Sequence, residues 1–259
     1  MFGLKKRRRR RWRSQPLPRQ WIEIIERNVP CYQHLAPDER NELHGHIQVF
    51  LHEKDFEGCE GLEITDEIRV TIAAQACILL LHRETDYFPF MSSILVYPQH
   101  YFAFTSEHLS GGLVQEGIQA RLGESWKRGP IVLSWNDVLR GAADPNDGHN
   151  VVFHEFAHQL DSESGTMEGA PILPDATMYT AWARVLSNEF NSLLIDLEQN
   201  HRHLIDAYGA SSPAEFFAVV TEAFFEKPLQ LKSHHPELYE QMRSFYQQDP
   251  ASRLTPGIK

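Results

Sequence analysis

The chain is poor in cysteine and has no long apolar run. Its 259 residues include three cysteines that lie far apart and form no Cys-x-x-Cys pair: Cys31, Cys59 and Cys77. This spacing excludes a disulfide framework and a cysteine-rich zinc finger, and it favours a reducing compartment, so we expect a cytoplasmic location. The chain also lacks the run of roughly 18 apolar residues that a transmembrane helix requires, so no transmembrane segment is expected.

The composition is that of an ordinary globular chain, with 42% hydrophobic and 23% charged residues. Bulk disorder is therefore not expected, and the length suits one large domain. We predict a single domain over residues 19–250 and a C-terminal tail over 251–259.

Charge is distributed unevenly along the chain. Residues 5–13 hold eight basic side chains and no acid, whereas the remainder holds 17 bases and 35 acids, a net charge near -18. Ser14–Pro18 follows the basic run where a secretory signal would have an apolar segment. Residues 1–18 are therefore predicted to be a flexible basic arm. It could be a solubilising tail or could contact anionic lipid or nucleic acid, but the acidic body argues against specific nucleic-acid binding.

The periodicity of apolar residues predicts mostly helices and a few strands. Helices are expected at 21–28, from Ala36, from Thr65, from about Asn150, and over 176–203, 212–226 and 236–248, with strands at 94–104 and 131–135. The segment 70–81 is apolar on nearly every side and should be a central helix. Ile131–Trp135 is a candidate sheet edge on which an extended peptide could pair. The fold class predicted is α+β with helices dominant.

His154-Glu155-Phe156-Ala157-His158 is an HExxH motif. The flanking residues give it the apolar face of a helix, and side chains four apart on a helix lie on one side, so both imidazoles could bind one metal ion. Glu155 would lie beside a zinc ion rather than bind it, placed to take a proton from a water on the metal.

A zinc site of this type needs a third protein ligand. One class of zinc peptidases uses a histidine six residues after the motif, but Ser164 occupies that place here. Asp161 could bind the metal, although a role in orienting a ligand histidine is favoured. Two glutamates in the apolar segment 212–226, Glu215 and Glu222, are stronger candidates, because a carboxylate in such a segment needs a partner. Glu215 could instead complete a capping box, so the residues alone leave both open.

Tyr208 and the remaining histidines are weaker candidates for roles in the site. Tyr208 could donate a hydrogen bond to an oxyanion or could simply fix a loop. The remaining histidine groups, including His44 and His46, lack acids at useful spacing and are expected at the surface.

Taken together, four segments resemble the Mlc titration factor A proteins, a bacterial group of zinc peptidases. They are TDEIRVTIAAQACILLL at 65–81, GPIVLSW at 129–135, HEFAHQLD at 154–161 and DAYGASSPAEFFAVVTEAFFE at 206–226. The resemblance implies a zincin-like core in which His154, His158 and Glu215 bind Zn²⁺ and Glu155 is the general base. A further likeness to the anthrax lethal factor catalytic domain supports Tyr208 as the oxyanion partner.

The resemblance also carries expectations about substrates and partners. It implies an aminopeptidase-type action on short peptides, or alternatively a regulatory protein that sequesters a transcriptional repressor. One position departs from the family, in which a histidine follows a Leu-Val pair upstream; here Gln115 follows Leu113-Val114. A neutral amide is a poor zinc ligand, so an auxiliary metal contact from this position is not expected.

Overall fold

Helices dominate the structure and surround a small sheet. The computed structural model describes residues 2–99, 101–109, 113–121, 123–125 and 129–254, with side-chain surroundings for 3–99 and 129–254. The helices are α1 (Phe2–Arg13), α2 (Arg19–Asn28), α3 (Pro37–Glu53), α4 (Asp66–Ile78), α5 (Trp135–Ala143), α6 (Val151–Ser162), α7 (Tyr179–Glu198), α8 (Pro213–Glu226), α9 (Pro228–His234), α10 (Pro236–Tyr246) and α11 (Pro250–Leu254). The strands are β1 (Asp55–Gly58), β2 (Ser93–Tyr97), β3 (Tyr101–Leu109), β4 (Leu113–Arg121), β5 (Gly123–Ser125) and β6 (Ile131–Ser134). This content agrees with the predicted α+β class.

The main sheet has the strand order β1-β2-β6-β5. The first three strands are parallel, and β5 pairs antiparallel with β6, while β3 and β4 form a separate antiparallel hairpin. The prediction that Ile131–Trp135 is a sheet edge is wrong, because β6 lies between β2 and β5. Trp135 instead begins α5, where the Ser134 hydroxyl caps the helix by accepting a hydrogen bond from the Asp137 amide at 3.3 Å.

Helices α4 and α8 form the centre of the molecule. The Thr65 hydroxyl caps α4 as predicted, and nearly every residue of α4 is buried. In α8 every residue from Phe216 to Glu226 is buried. Both helices pack against α6, so the HExxH segment is held between two buried elements. Among the described residues, no helix is both long and apolar enough to cross a membrane.

Residues 2–13, predicted as part of a flexible arm, form helix α1 packed on α3. Two Arg9 guanidinium nitrogens donate hydrogen bonds to the Glu53 carboxylate at 2.9 and 2.7 Å, and the Trp12 ring stacks on His52 with centroids 4.5 Å apart. Gly45 of α3 allows the end of α1 to approach closely, because a Cβ at this position would lie 3.2 Å from the Arg13 carbonyl oxygen. The difference arises because the acids that pair with α1, namely Glu42, Glu53 and Asp86, lie far from it in sequence, where local patterns do not reveal them.

The surface location predicted for His46 is also wrong. Its ring is fully buried, with Nδ1 2.9 Å from the Tyr87 hydroxyl and Nε2 3.2 Å from the Glu42 carboxylate. Burial lowers its pKa, so the neutral ring is the form that the core favours. The neighbouring His44 pairs with the Tyr32 hydroxyl at 2.9 Å.

Candidate metal centre

The HExxH segment lies in the middle of helix α6. Asn150 caps this helix, since its Oδ1 accepts a hydrogen bond from the Phe153 amide at 3.0 Å. Phe153, Phe156 and Ala157 are buried and fix the rotation of the helix about its axis. A neighbouring face of α6 presents His154 and His158, four residues apart, to Glu215 of α8.

Three side chains converge at this face. The Nε2 atoms of His154 and His158 are 3.2 Å apart, and they lie 3.0 and 3.3 Å from Glu215 Oε2. Among the described residues this trio forms the group of histidine and acidic side chains whose ligand atoms could hold one metal ion. Of the two glutamates that the sequence left open, the structure brings Glu215 to these histidine Nε2 atoms.

The chemistry of these atoms fits a metal ion. Two ring nitrogens and a carboxylate oxygen direct lone pairs towards one another, so a proton or a metal ion is needed among them. Ligand atoms about 2.0–2.1 Å from a tetrahedral zinc ion lie roughly 3.3 Å from one another, which is close to the three separations found here. The donor set therefore fits zinc without rearrangement.

The charges of these three side chains indicate the same demand for a cation. Burial alone would raise the pKa of Glu215, but hydrogen bonds with His154 and His158 lower it to about 2. Burial opposes a charge on His154, yet its hydrogen bonds with Glu215 and Glu222 raise its pKa well above the usual value. The site thus stabilises positive charge next to an ionised carboxylate.

Glu215 reaches this position from the start of α8. Its amide donates a hydrogen bond to the Ser212 hydroxyl at 3.2 Å, which is half of the predicted capping box. Its carboxylate contacts the histidines instead of returning to the Ser212 amide. Capping by Ser212 and contact with the histidines are therefore compatible, because they use different atoms of Glu215.

Glu222 contacts the other side of His154. Its Oε1 lies 2.8 Å from His154 Nδ1, and its Oε2 accepts a hydrogen bond from the Asn150 amide at 2.5 Å. A carboxylate on the second ring nitrogen fixes the orientation and tautomer of a metal-binding histidine, leaving Nε2 to face the ligand position. Glu222 therefore orients His154 rather than joining the trio.

A buried polar network supports this arrangement. Asn150 Nδ2 donates hydrogen bonds to Gln75 Oε1 at 2.8 Å and to Glu226 Oε1 at 3.1 Å, which links α4, α6 and α8. Burial raises the pKa of Glu226 to about 9; the hydrogen bond from Asn150 opposes this shift, and the nearby Glu222 charge adds to it. Sequence reasoning missed Gln75 and Glu226. The available signal was a third carboxylate in the apolar segment 212–226, one helical turn beyond Glu222.

Glu155, the middle acid of the motif, is almost completely enclosed. Glu155 is only 5% exposed, and its Oε2 has no hydrogen-bond partner within the described part of the chain. Burial raises the pKa of Glu155 to about 7, while His154 and His158 act to lower it. A carboxyl group with a pKa near neutrality can both accept and release a proton.

Tyr208 lies beside this trio, with its ring near that of His154. It belongs to a short 3-10 turn, Ala207–Ser211, and its ring centroid is 5.9 Å from that of His154. The Asp206 carboxylate holds the turn by accepting a hydrogen bond from the Tyr208 amide at 2.8 Å. Tyr208 is 57% exposed, so a molecule from solvent can reach its ring.

Asp161 does not orient a histidine as the sequence suggested. Its Oδ2 accepts a hydrogen bond from the Gly169 amide at 2.8 Å, and among the described residues His158 Nδ1 has no hydrogen-bond partner. Asp161 therefore fixes the loop after α6. Gln115 lies on β4, paired in register with Glu107, and its side chain is outside the described residues.

Comparison with known proteins identifies a matching family and close relatives. The profile of a family described as glucose-regulated metallo-peptidase M90 matches residues 4–247. The uncharacterized protein slr2042 of Synechocystis sp. is 42% identical over 238 residues, covering 92% of this chain and 86% of its own length. The Mlc titration factor A of Klebsiella pneumoniae (strain 342) is 33% identical, covering 87% and 85%. That of Escherichia fergusonii is 32% identical, covering 93% and 90%.

Proposed function

Because the chain belongs to the glucose-regulated metallo-peptidase M90 family, we propose that it is a zinc-dependent peptidase with a zincin-like core. His154, His158 and Glu215 would hold the zinc ion. The observation that carries the proposal is the triangle of their three ligand atoms, with sides of 3.0, 3.2 and 3.3 Å. When bound, zinc supplies Lewis-acid chemistry, which acidifies water and polarises a carbonyl group.

Glu155 is the general base of this proposal. It accepts a proton from the attacking water and then delivers that proton to the amine of the leaving peptide. Its burial supports this role, because the raised pKa lets one carboxyl group perform both transfers near neutral pH. Glu222 keeps the His154 ring in the orientation that leaves Nε2 facing Glu215.

Tyr208 is proposed to stabilise the negative charge that develops on the peptide carbonyl oxygen. A phenol donates one hydrogen bond, and such a donor contributes most where the charge appears only in the transition state. Its exposure and its position beside His154 support this assignment.

The substrate that we propose is a short peptide cleaved from its amino end in the cytoplasm. The aminopeptidase-type action is supported by the resemblance to the Mlc titration factor A proteins, and the compartment by cysteines that are all unpaired. An aminoacyl reporter should be cleaved faster than the same reporter with an acetylated amino group. Equal rates would indicate an endopeptidase instead.

Elemental analysis with activity measurement tests the metal assignment. We expect about one zinc per chain in the wild type, its loss in Glu215→Ala, and its retention in Glu155→Gln, which should have about 10²–10⁴-fold lower kcat/KM. Zinc retained by Glu215→Ala would overturn the ligand set. Full turnover by Glu155→Gln would overturn the general base.

The names of the relatives favour a second candidate, a regulatory protein that binds a transcriptional repressor. In this case the repressor would bind the helical surface, and the peptidase site would be secondary. Titration calorimetry with a purified Mlc-type repressor separates the two candidates. Equal affinity for the wild type and Glu155→Gln, together with no cleavage of either reporter, would favour the regulator.

A further inference from the structure

Helix α1 has two faces that differ in how their charges are neutralised. The inner face packs on α3 and pairs with acids: Lys5 and Arg9 contact Asp86, Arg9 also contacts Glu53, and Arg13 lies 3.9 Å from Glu42. Arg9 is the most enclosed of these, with a side chain that is 11% exposed. These contacts fix the helix in place before any partner arrives.

The outer face carries cations that no acid neutralises. Lys6, Arg7, Arg10 and Arg11 are exposed, and none of them forms an ion pair with any residue of the described chain. They are spaced three and four residues apart, so Lys6 and Arg10, like Arg7 and Arg11, repel each other along the helix. An anionic surface would relieve this repulsion.

We propose that the outer face of α1 (Lys6, Arg7, Arg10 and Arg11) binds the surface of a membrane that contains anionic phospholipid. A cluster of four or more cations on one side of a formed helix is attracted to such a surface. Leu4, 74% exposed on the same side of the helix, can insert among the lipid headgroups.

A lipid surface fits this face better than a nucleic acid does. Leu4 is exposed beside the cations, and an apolar side chain can insert into the headgroup region of a membrane but finds no apolar partner along a phosphate backbone. The acids that pair with this inner face lie about one helix diameter, roughly 10 Å, behind the outer face. At physiological ionic strength this distance is near the screening length of about 8 Å, so those acids repel an anionic surface weakly.

Vesicle co-sedimentation of the full chain tests the proposal. The probe is vesicles of about 30% phosphatidylglycerol in phosphatidylcholine, compared with phosphatidylcholine alone. Wild type should co-sediment only with the anionic vesicles and should dissociate as NaCl is raised from about 0.05 to about 0.5 M. The Arg7→Gln/Arg10→Gln/Arg11→Gln variant should have an approximately 100-fold lower partition coefficient, since each cation contributes about fivefold.

The control variant Arg140→Gln/Arg202→Gln/Arg243→Gln removes the same charge from other exposed positions and should bind like wild type, within about twofold. The Tm of the α1 variant should be no lower than that of wild type, because glutamine is a good helix former and its neutral side chain removes the repulsion between the cations. Absence of wild-type binding, or equal binding by the α1 variant, would overturn the proposal. Binding of an RNA or DNA duplex at a salt concentration that abolishes vesicle binding would overturn it in favour of nucleic acid.

Discussion

The two carboxylates of α8 near His154 contact different ring nitrogens, and this difference predicts different mutational effects. Glu222→Gln replaces the acceptor at His154 Nδ1 with a neutral amide, so zinc affinity should fall about 10–100-fold without complete loss. Competition with a chelating dye measures this change. Glu226→Gln is the matched control, because the Glu226 carboxyl group is already protonated at neutral pH. The zinc affinity of this variant should stay within about twofold of wild type. Equal losses in both variants would contradict the orienting role.

The buried carboxyl group of Glu226 predicts a pH-dependent stability. Its pKa is about 9 in the folded protein against an ordinary 4.5, so between these values the folded state binds more protons than the unfolded state. The free energy of unfolding should therefore fall as the pH rises through this window. Glu226→Gln removes this term, so the variant should gain stability over wild type progressively from about pH 5 to about pH 9. Urea unfolding at each pH measures the gain, and a constant difference would contradict the raised pKa.

At the scale of the elements, Gly169 in the loop after α6 packs closely against Pro213 at the start of α8. Gly169 has a φ of 72°, and a Cβ there would lie 2.4 Å from the Pro213 carbonyl oxygen. Gly169→Ala should therefore cost about 2–4 kcal/mol and displace the helix start that carries Glu215. Urea unfolding and zinc titration measure the two effects.

Gly165→Ala is the control for backbone strain alone. Gly165 also has a positive φ, 92°, but nothing lies within 4 Å of its Cβ position. This variant should cost about 1 kcal/mol and keep its zinc affinity. Similar losses in both glycine variants would show that the contact with Pro213 has no effect.

Local signals in the sequence predicted the elements that carry the site. Asn150 and Ser212 lie immediately before α6 and α8, and both cap their helices as their residue types suggest. The HExxH spacing likewise places His154 and His158 on one face. These predictions succeed because caps and i, i+4 neighbours depend on residues within one or two turns.

Features that depend on distant partners could not be predicted in the same way. The strand β6 lies inside the sheet because β5 pairs with it, and a three-residue strand such as β5 gives little periodic signal. His46 is buried because Tyr87, 41 residues away, satisfies its ring. The residues alone left Glu215 and Glu222 open, and only the resemblance favoured Glu215. The packing of α6 on α8, which local sequence signals do not reveal, brings Glu215 Oε2 to both histidine Nε2 atoms.

The contribution of the metal to the stability of the folded chain should be measurable. His154 on α6 and Glu215 on α8 are 61 residues apart in sequence, so an ion bound by both would link the two helices. At a free zinc concentration about 100 times Kd, binding adds about 2.7 kcal/mol, or roughly 5–10 °C in Tm for a chain of this size. Chelation should remove this increment.

Calorimetry with and without chelator checks the prediction across variants. Glu155→Gln should keep the whole shift because its side chain is not a ligand, whereas Glu215→Ala should show none. A chelator-sensitive Tm in Glu215→Ala would mean that zinc binds elsewhere.

The network centred on Asn150 has a consequence for biosynthesis. It joins α4, α6 and α8 through Gln75, Asn150 and Glu222, and Glu215 lies on the last of these helices to be made. A ribosome-bound chain whose HExxH segment has emerged before α8 would lack both Glu215, the proposed third ligand, and Glu222, which contacts His154 Nδ1. The proposed peptide hydrolysis should therefore begin only after α8 has left the ribosome, and chains truncated before Glu215 should not cleave peptides.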